Sequence, residues 1–376
     1  MSCQPVAAFV CLTAPGARAM VRLAFAVLMI LTLSAVSPVH AQAPIKEAVR
    51  SEVPILQSML SNGARRYAVP VQVGSTRLLV SLDTGSTGLR ILPGALARGD
   101  TGPDGAPETY GYGSGSRYEG VIGQARVSIG SAAGMGPVHL IRTIGCFAYL
   151  PHCPASRTTL DKYGIASDGL PNEGFKAILG IDMAPGVVGN PLRFLGARRW
   201  IVELPRPGEG EGRLILNPTE AEVEGYVMVP LAAPYAHEVG GGLHDATPGC
   251  LVNRDSHARA CGVVLMDTGA TGLSVANVRL EGGPWPEGSP IEFELFDKTG
   301  HLAVRASMTS GLRDQGTRLS FYRETRVYGT VIYAGAAPYF AYSVLYDPRR
   351  ETIGLKSRQP GPFPQSPRAE VLDSTH

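Results

Sequence analysis

The sequence predicts a mostly-β protein made of two related halves, and three observations carry that expectation. Short runs rich in Val, Ile, Leu, Phe and Tyr recur along the chain between Gly and Pro residues, the pattern of strands separated by turns. Gly (46) and Pro (30) are abundant among the 376 residues, which favours turns over long helices. The stretch LDTGSTGL (82–89) also returns as MDTGATGL (266–273), identical from the Asp onward at six of seven positions. Two such halves imply an approximate two-fold axis that brings the two turns face to face.

Along the chain, residues 1–41 come first and read as an export signal. Arg22 precedes the apolar run LAFAVLMILTLSAV, and the small residues of SPVHAQA follow, with cleavage expected after Ala41. Translation from Met20 would keep the whole signal. The competing reading is a membrane-spanning helix, but the run is about 14 residues against the roughly 20 that a bilayer needs. No stable membrane span is expected, and the address is exported, periplasmic or secreted.

Residues 42–65 then form an N-terminal arm and strand. A first lobe is expected over 66–222, a second over 223–358, and a disordered Pro-rich tail over 359–376. The strand-like runs are YAVPVQV, RLLVSL and QARVSI, then RLILNP, GYVMVPL, GVVLMD, PIEFELF, TVIYAG and YSVLYD. VPILQSML (53–60) and LPNEGFKAIL (170–179) allow one or two helical turns. Each half also carries two apolar residues followed by Gly, in AILGID (177–182) and VIYAGA (331–336).

Net charge is +2 with the basic residues scattered, so neither a nucleic-acid nor a lipid-surface partner is indicated. Cys3 and Cys11 fall in the export segment, leaving Cys146, Cys153, Cys250 and Cys261 as two local pairs. Two short-loop disulfides suit an oxidising compartment. A zinc site is the alternative, but the spacings are not CxxC and no paired His accompanies them. No metal or cofactor is expected, and His237, His244 and His257 read as surface residues of one loop-rich region. DKTG (297–300) reads as a hairpin turn, and Met183, Met228 and Met266 as core filler.

The repeated turns hold the chemistry. Asp83 and Asp267 each end an apolar strand, where a carboxylate is costly unless hydrogen-bonded or used. Gly85 and Gly269 let the backbone turn tightly enough to aim N–H groups at it. Thr84 and Thr268 offer hydroxyls that can tie the loops together. Ser86 can donate to the outer oxygen of Asp83, whereas Ala270 leaves Asp267 without that donor. Two carboxylates in contact share one proton. The ionised one can then act as general base on a water while the protonated one donates to a carbonyl oxygen.

These residues resemble the pepsin-like (A1-type) aspartic proteases, over about residues 66–358. Besides the two turns, YGYGSGSRYEGVIGQARVSIG (110–130) is similar to the family's flap, and FKAILGID to its apolar-apolar-Gly element. WIVELPRPGEGEGRLILNPTEAEVEGYVMVPL resembles the interlobe strands, and VIYAGAAPYFAYSVLYDPRRETIGL the closing segment. The resemblance implies a bilobal fold with the cleft between the lobes and an aspartic endopeptidase acting on an extended peptide, with apolar side chains flanking the cut. It also implies a monomer without cofactor. By that match Tyr112 is the flap tyrosine, with Gly113 and Ser114 binding the substrate backbone, and Tyr110 is the alternative if the hairpin shifts by two. Cys250 and Cys261 lie where the family often has a small disulfide loop.

Departures from the family are as informative. Arg90 stands where many members have a Trp supporting the flap tyrosine, and one residue is inserted near Arg117 or Tyr118. Cys146–Cys153 has no counterpart, and Ala270 replaces a Thr or Ser, which shifts expected activity toward less acidic pH. The span 42–66, with Lys46, Arg50, Arg65 and Arg66, is too short for a long inhibitory propeptide. The alternative function is a catalytically inactive fold that binds or inhibits peptides or proteins. A more distant alternative is a small-substrate hydrolase or envelope protein on an unrelated β fold.

Overall fold

The computed structural model describes residues 49–232, 244–277, 283–324, 329–361, 364–370 and 372. The expected export segment 1–41, Met20, Lys46 and His237 lie outside them. The described residues are mostly β, as the composition and turn spacing predict, and they form two large sheets.

The first half of the chain supplies β1 (Ser51–Met59), β2 (Arg65–Val73), β3 (Thr76–Asp83), β4 (Thr87–Ile91), β5 (Pro107–Gly111), β6 (Ser116–Ile129), β7 (Ala132–Cys146) and β8 (Ala177–Ile181). After the short helix α1 (Pro191–Phe194) come β9 (Trp200–Glu203) and β10 (Gly212–Leu216), then α2 (Glu220–Val223) and β11 (Val227–Pro230). The second half supplies β12 (Thr247–Asn253), β13 (Arg259–Leu265), β14 (Leu273–Asn277), β15 (Pro290–Phe296), β16 (Leu302–Thr309), β17 (Leu319–Arg323) and β18 (Thr330–Tyr333). The chain closes through α3 (Ala337–Ala341), β19 (Tyr342–Asp347), β20 (Thr352–Ser357) and β21 (Arg368–Ala369).

The repeat seen in the sequence is a repeat of topology. In the first half β3 pairs parallel to β8, β8 antiparallel to β4, and β4 parallel to β7. In the second half β13 pairs parallel to β18, β18 antiparallel to β14, and β14 parallel to β17. The apolar-apolar-Gly elements are therefore equivalent strands, each wedged between the two strands that flank an Asp-Thr-Gly turn. Every residue of β8 is buried, which explains why AILGI reads as a continuous apolar run without alternation.

The remaining strands join the halves. The larger sheet runs β11-β20-β19-β9-β10-β1-β2-β3-β8-β4-β7-β6-β5 and the smaller β17-β14-β18-β13-β12-β15-β16-β21. Because β11, β19 and β20 complete the first sheet, the expected boundary at 222/223 does not separate two self-contained units. One apolar core runs through both sheets, with Trp200 fully buried and stacked on Tyr346 at 5.8 Å.

Three local expectations need correction. VPILQSML is not helical: it lies in β1, whose inward residues Val53 and Ile55 alternate with outward ones. LPNEGFKAIL is a turn leading into β8, where parallel pairing on β3 outweighs helix propensity. The tail is not wholly loose either. Arg368 and Ala369 pair with Ser307 and Ala306 on β16, and the Arg206 guanidinium donates to the Gln359 carbonyl. The register of β5 and β6 is unbroken through Arg117 and Tyr118. A separate irregularity lies between β6 and β7, where Glu119 faces Thr143 and Gly120 faces Ile141, so that Arg142 of β7 is skipped.

Both expected disulfides form, Cys146–Cys153 and Cys250–Cys261. The second joins directly paired residues of β12 and β13, the strand that leads to Asp267. DKTG is the turn between β15 and β16. Among the described residues no helix is long and apolar enough to cross a membrane.

Candidate active site

The ends of β3 and β13 deliver the two Asp-Thr-Gly turns to one point. There the Asp83 and Asp267 carboxyls face each other across Gly269, whose Cβ position would lie 3.0 Å from an oxygen of each. Their loops are locked by reciprocal bonds. Thr84 N donates to Thr268 Oγ1 at 3.1 Å, and Thr268 N to Thr84 Oγ1 at 3.0 Å. Each hydroxyl then crosses to the opposite strand, Thr84 Oγ1 to Met266 O at 2.7 Å and Thr268 Oγ1 to Leu82 O at 2.8 Å. Tyr339, from α3, adds a bond from its hydroxyl to Thr84 Oγ1 at 3.0 Å. All of these groups are buried, so nothing else could satisfy them. Thr84→Val would strand Thr268 N and weaken the Tyr339 anchor. A loss of roughly 3 kcal/mol in denaturant unfolding is expected, against under 1 kcal/mol for an exposed Thr.

The two carboxylates are not equivalent. Asp83 accepts from Gly85 N at 2.9 Å and from Ser86 Oγ at 2.6 Å. Asp267 accepts from Gly269 N at 2.8 Å, and Ala270 has no hydroxyl to match Ser86. Burial, followed by the neighbouring Asp83 carboxylate, holds the Asp267 carboxyl well above the usual range. The arrangement thus gives Asp83 one more donor than Asp267 and favours a proton on the Asp267 carboxyl.

A cleft of about 1610 Å³ opens over the pair, wider than the 300–1,000 Å³ typical of small-molecule sites. One wall is the β5–β6 hairpin, whose tip carries the exposed Gly113 and Ser114. The resemblance put the flap tyrosine at Tyr112, but the structure turns that hydroxyl inward, where it has no partner among the described residues. The Tyr112 ring packs between Tyr110 and Tyr118, 5.1 Å from each. The hydroxyl that reaches the Asp83 loop belongs to Tyr110, 3.5 Å from Thr87 N. Tyr110 takes this place because buried Arg90 lies under its ring, 3.3 Å from the centroid, and donates to Thr87 O. Arg90 therefore supports Tyr110 from below. The Cys146–Cys153 loop braces the tip from behind, with Phe147 N donating to Gly115 O at 3.0 Å.

A second titratable cluster sits beside the first. Asp182, His244 and Asp245 bring ligand-capable atoms within 4.8 Å of one another. Asp182 follows β8, and its N–H donates to Ser86 O at 2.9 Å; Asp245 accepts from Met183 N at 2.9 Å and pairs with His244 Nδ1 at 2.9 Å. The sequence pattern points to the Gly of AILGID and not to the Asp after it, and His244, expected at the surface, is half-buried here.

Burial, then the Asp245 carboxylate, pushes the Asp182 carboxyl up to about 8. Burial raises Asp245 as well, and the Asp245 hydrogen bond raises His244. A carboxyl with a raised folded-state value binds more protons folded than unfolded, so its contribution to stability falls as pH rises from about 4 to about 8. Raised His244 acts in the same direction. Asp182→Asn keeps an acceptor for Ala184 N and removes the titration. Its melting temperature should gain on the wild type steadily between pH 5 and pH 8; a constant difference would contradict this assignment.

A scan against protein-family models matches none, and a search of curated proteins returns no match.

Proposed function

We propose that this protein is an exported aspartic endopeptidase with a bilobal, pepsin-like architecture, and that Asp83 and Asp267 activate the hydrolytic water between them. The observation that carries the reading is the pair of facing carboxyls in an open cleft, held by a reciprocal threonine lock. Asp83, with its two donors, is the base that takes a proton from water. Asp267 keeps the proton that it gives to the carbonyl oxygen of the peptide bond as the tetrahedral intermediate forms. Collapse of that intermediate returns a proton to the leaving nitrogen, with no covalent enzyme intermediate.

The cleft volume and the hairpin wall favour an extended peptide over a small molecule. Tyr110 is the hairpin tyrosine whose hydroxyl reaches the Asp83 loop, with Gly113 and Ser114 at the tip as backbone partners for the substrate. The two disulfides support export to an oxidising compartment. The inactive-module reading predicts a lost Asp or a broken loop lock, and this chain has neither.

A peptide-library digest across pH tests the proposal, run with and without a statine-type peptide that imitates the tetrahedral intermediate. Cleavage should be blocked by the mimic. It should persist toward less acidic pH, because the raised Asp267 carboxyl keeps its proton as pH increases. Absence of cleavage at every pH, with the mimic still bound, would favour the binding-module reading.

A further inference from the structure

One cation in the cleft has no role in the hydrolysis just described. Arg66, on β2, lines the cleft and is only 3% exposed. Its Nε donates to Ala166 O at 2.7 Å and its Nη2 to Asp168 Oδ1. Nη1 is buried and has no hydrogen-bond partner among the described residues. The loop that grips Arg66 holds an uncommon shape, since Ala166 and Asp168 have φ values of 60° and 58°, left-handed without being glycine. Such backbone persists only where surrounding contacts enforce it, and it concentrates at binding sites. Asp168 is also shared, its Oδ2 accepting from Asn62 Nδ2 at 3.0 Å. Arg66 lines the same cleft as Asp83 and Asp267.

A buried guanidinium fixed through two nitrogens and unpaired at the third is prepared for an acceptor that arrives with the ligand. Its matched partner is a carboxylate, which brings two acceptor oxygens and a charge; a neutral amide brings neither pair nor charge. Resting on the endopeptidase reading, we propose that Arg66 is a specificity determinant that binds the side-chain carboxylate of an Asp or Glu at one fixed position of the bound peptide. The site is a cation in a wall of the cleft whose other partners are already in place. It selects acidic peptides where the resemblance alone implies apolar ones.

The test separates binding from cleavage. A peptide library is incubated at pH 7 with the full-length Asp267→Asn protein, and the retained peptides are sequenced. Asp and Glu should exceed Asn and Gln about ten-fold at a single position, as expected for one charge-assisted contact. The preference should fade as pH falls below about 4, where the peptide carboxyl is protonated. Adding Arg66→Gln should bring the acid-to-amide ratio to about one, and Arg66→Lys should keep part of it. Each ratio is measured within one protein, so a general loss of stability does not change it. No enrichment in the Asp267→Asn protein overturns the proposal, as does an enrichment that survives Arg66→Gln. A wild-type digest alongside decides the endopeptidase reading independently: acid-selective binding without cleavage would retain Arg66 as a carboxylate site and remove the hydrolytic function.

Discussion

Asp267→Asn should lower peptide cleavage by a factor of about 10³ or more while the protein stays folded. Asn preserves the shape and an acceptor for Gly269 N, so the loop lock of Thr84 and Thr268 is untouched. The proton that polarises the substrate carbonyl is lost, because an amide cannot give one up. Asp83→Asn should be equally damaging for the complementary reason, since it removes the base. The double variant should be little worse than either single one, because the pair acts as one unit. Stability at neutral pH should change little in Asp267→Asn, because a carboxyl that keeps its proton is replaced by an equally neutral amide of the same shape. Turnover assays with thermal unfolding on the same samples check both halves of this expectation. An active Asp267→Asn protein would contradict the assigned roles.

Gly85→Ala should be nearly as severe, by a different route. A Cβ at Gly85 would sit 2.5 Å from Asp267 Cγ and 2.7 and 2.8 Å from its two oxygens. Real Cβ atoms do not approach so closely, so one of the two loops must retreat. A displacement of about 1 Å between reacting groups costs on the order of 10² in rate, and overpacking costs roughly 1–3 kcal/mol of stability. Gly269→Ala should be milder, as its Cβ would lie 3.0 Å from an oxygen of each carboxylate. Gly210→Ala serves as control, with nothing within 4 Å, and should leave both rate and stability unchanged. Kinetics and denaturant unfolding on the three variants check the ranking.

What the sequence revealed and what it concealed follow from the range of each interaction. The Asp-Thr-Gly turns were legible because their chemistry is local: an apolar strand, an acid, a hydroxyl and a glycine stand in sequence. Their equivalence also disclosed the matching strand patterns around β8 and β18, since repeated sequence gives repeated topology. Ser86 and Ala270 correctly forecast the inequality of the two carboxylates, because the donor lies three residues from its acceptor. Contacts made across the fold were hidden. Arg66 meets Asp168 over 102 positions, and Tyr339 reaches Thr84 over 255. The Asp182–Asp245 neighbourhood likewise joins chain segments that share no pattern.

Tyr110 and Tyr112 show a subtler limit. Both lie on one face of the hairpin, two residues apart, and the match of the tip sequence favoured Tyr112. Position over the Asp83 loop is decided by Arg90, whose guanidinium offers a flat charged surface to the Tyr110 ring. The side chain at position 90 thus selects which tyrosine meets the Asp83 loop, and only the packing reveals the direction. The β1 segment misread as helical has the same cause. Its partners, β10 and β2, are distant or follow a turn, and pairing overrides a weak local preference.

Hydrolysis by this pair requires a single proton held between Asp83 and Asp267. Neutron diffraction from deuterium-exchanged crystals near pH 5 observes that proton directly. One deuteron between the two carboxyls, bonded on the Asp267 side and facing Asp83, is the predicted result. Two separately protonated acids, two bare carboxylates, or side chains standing apart with solvent between them would contradict the account.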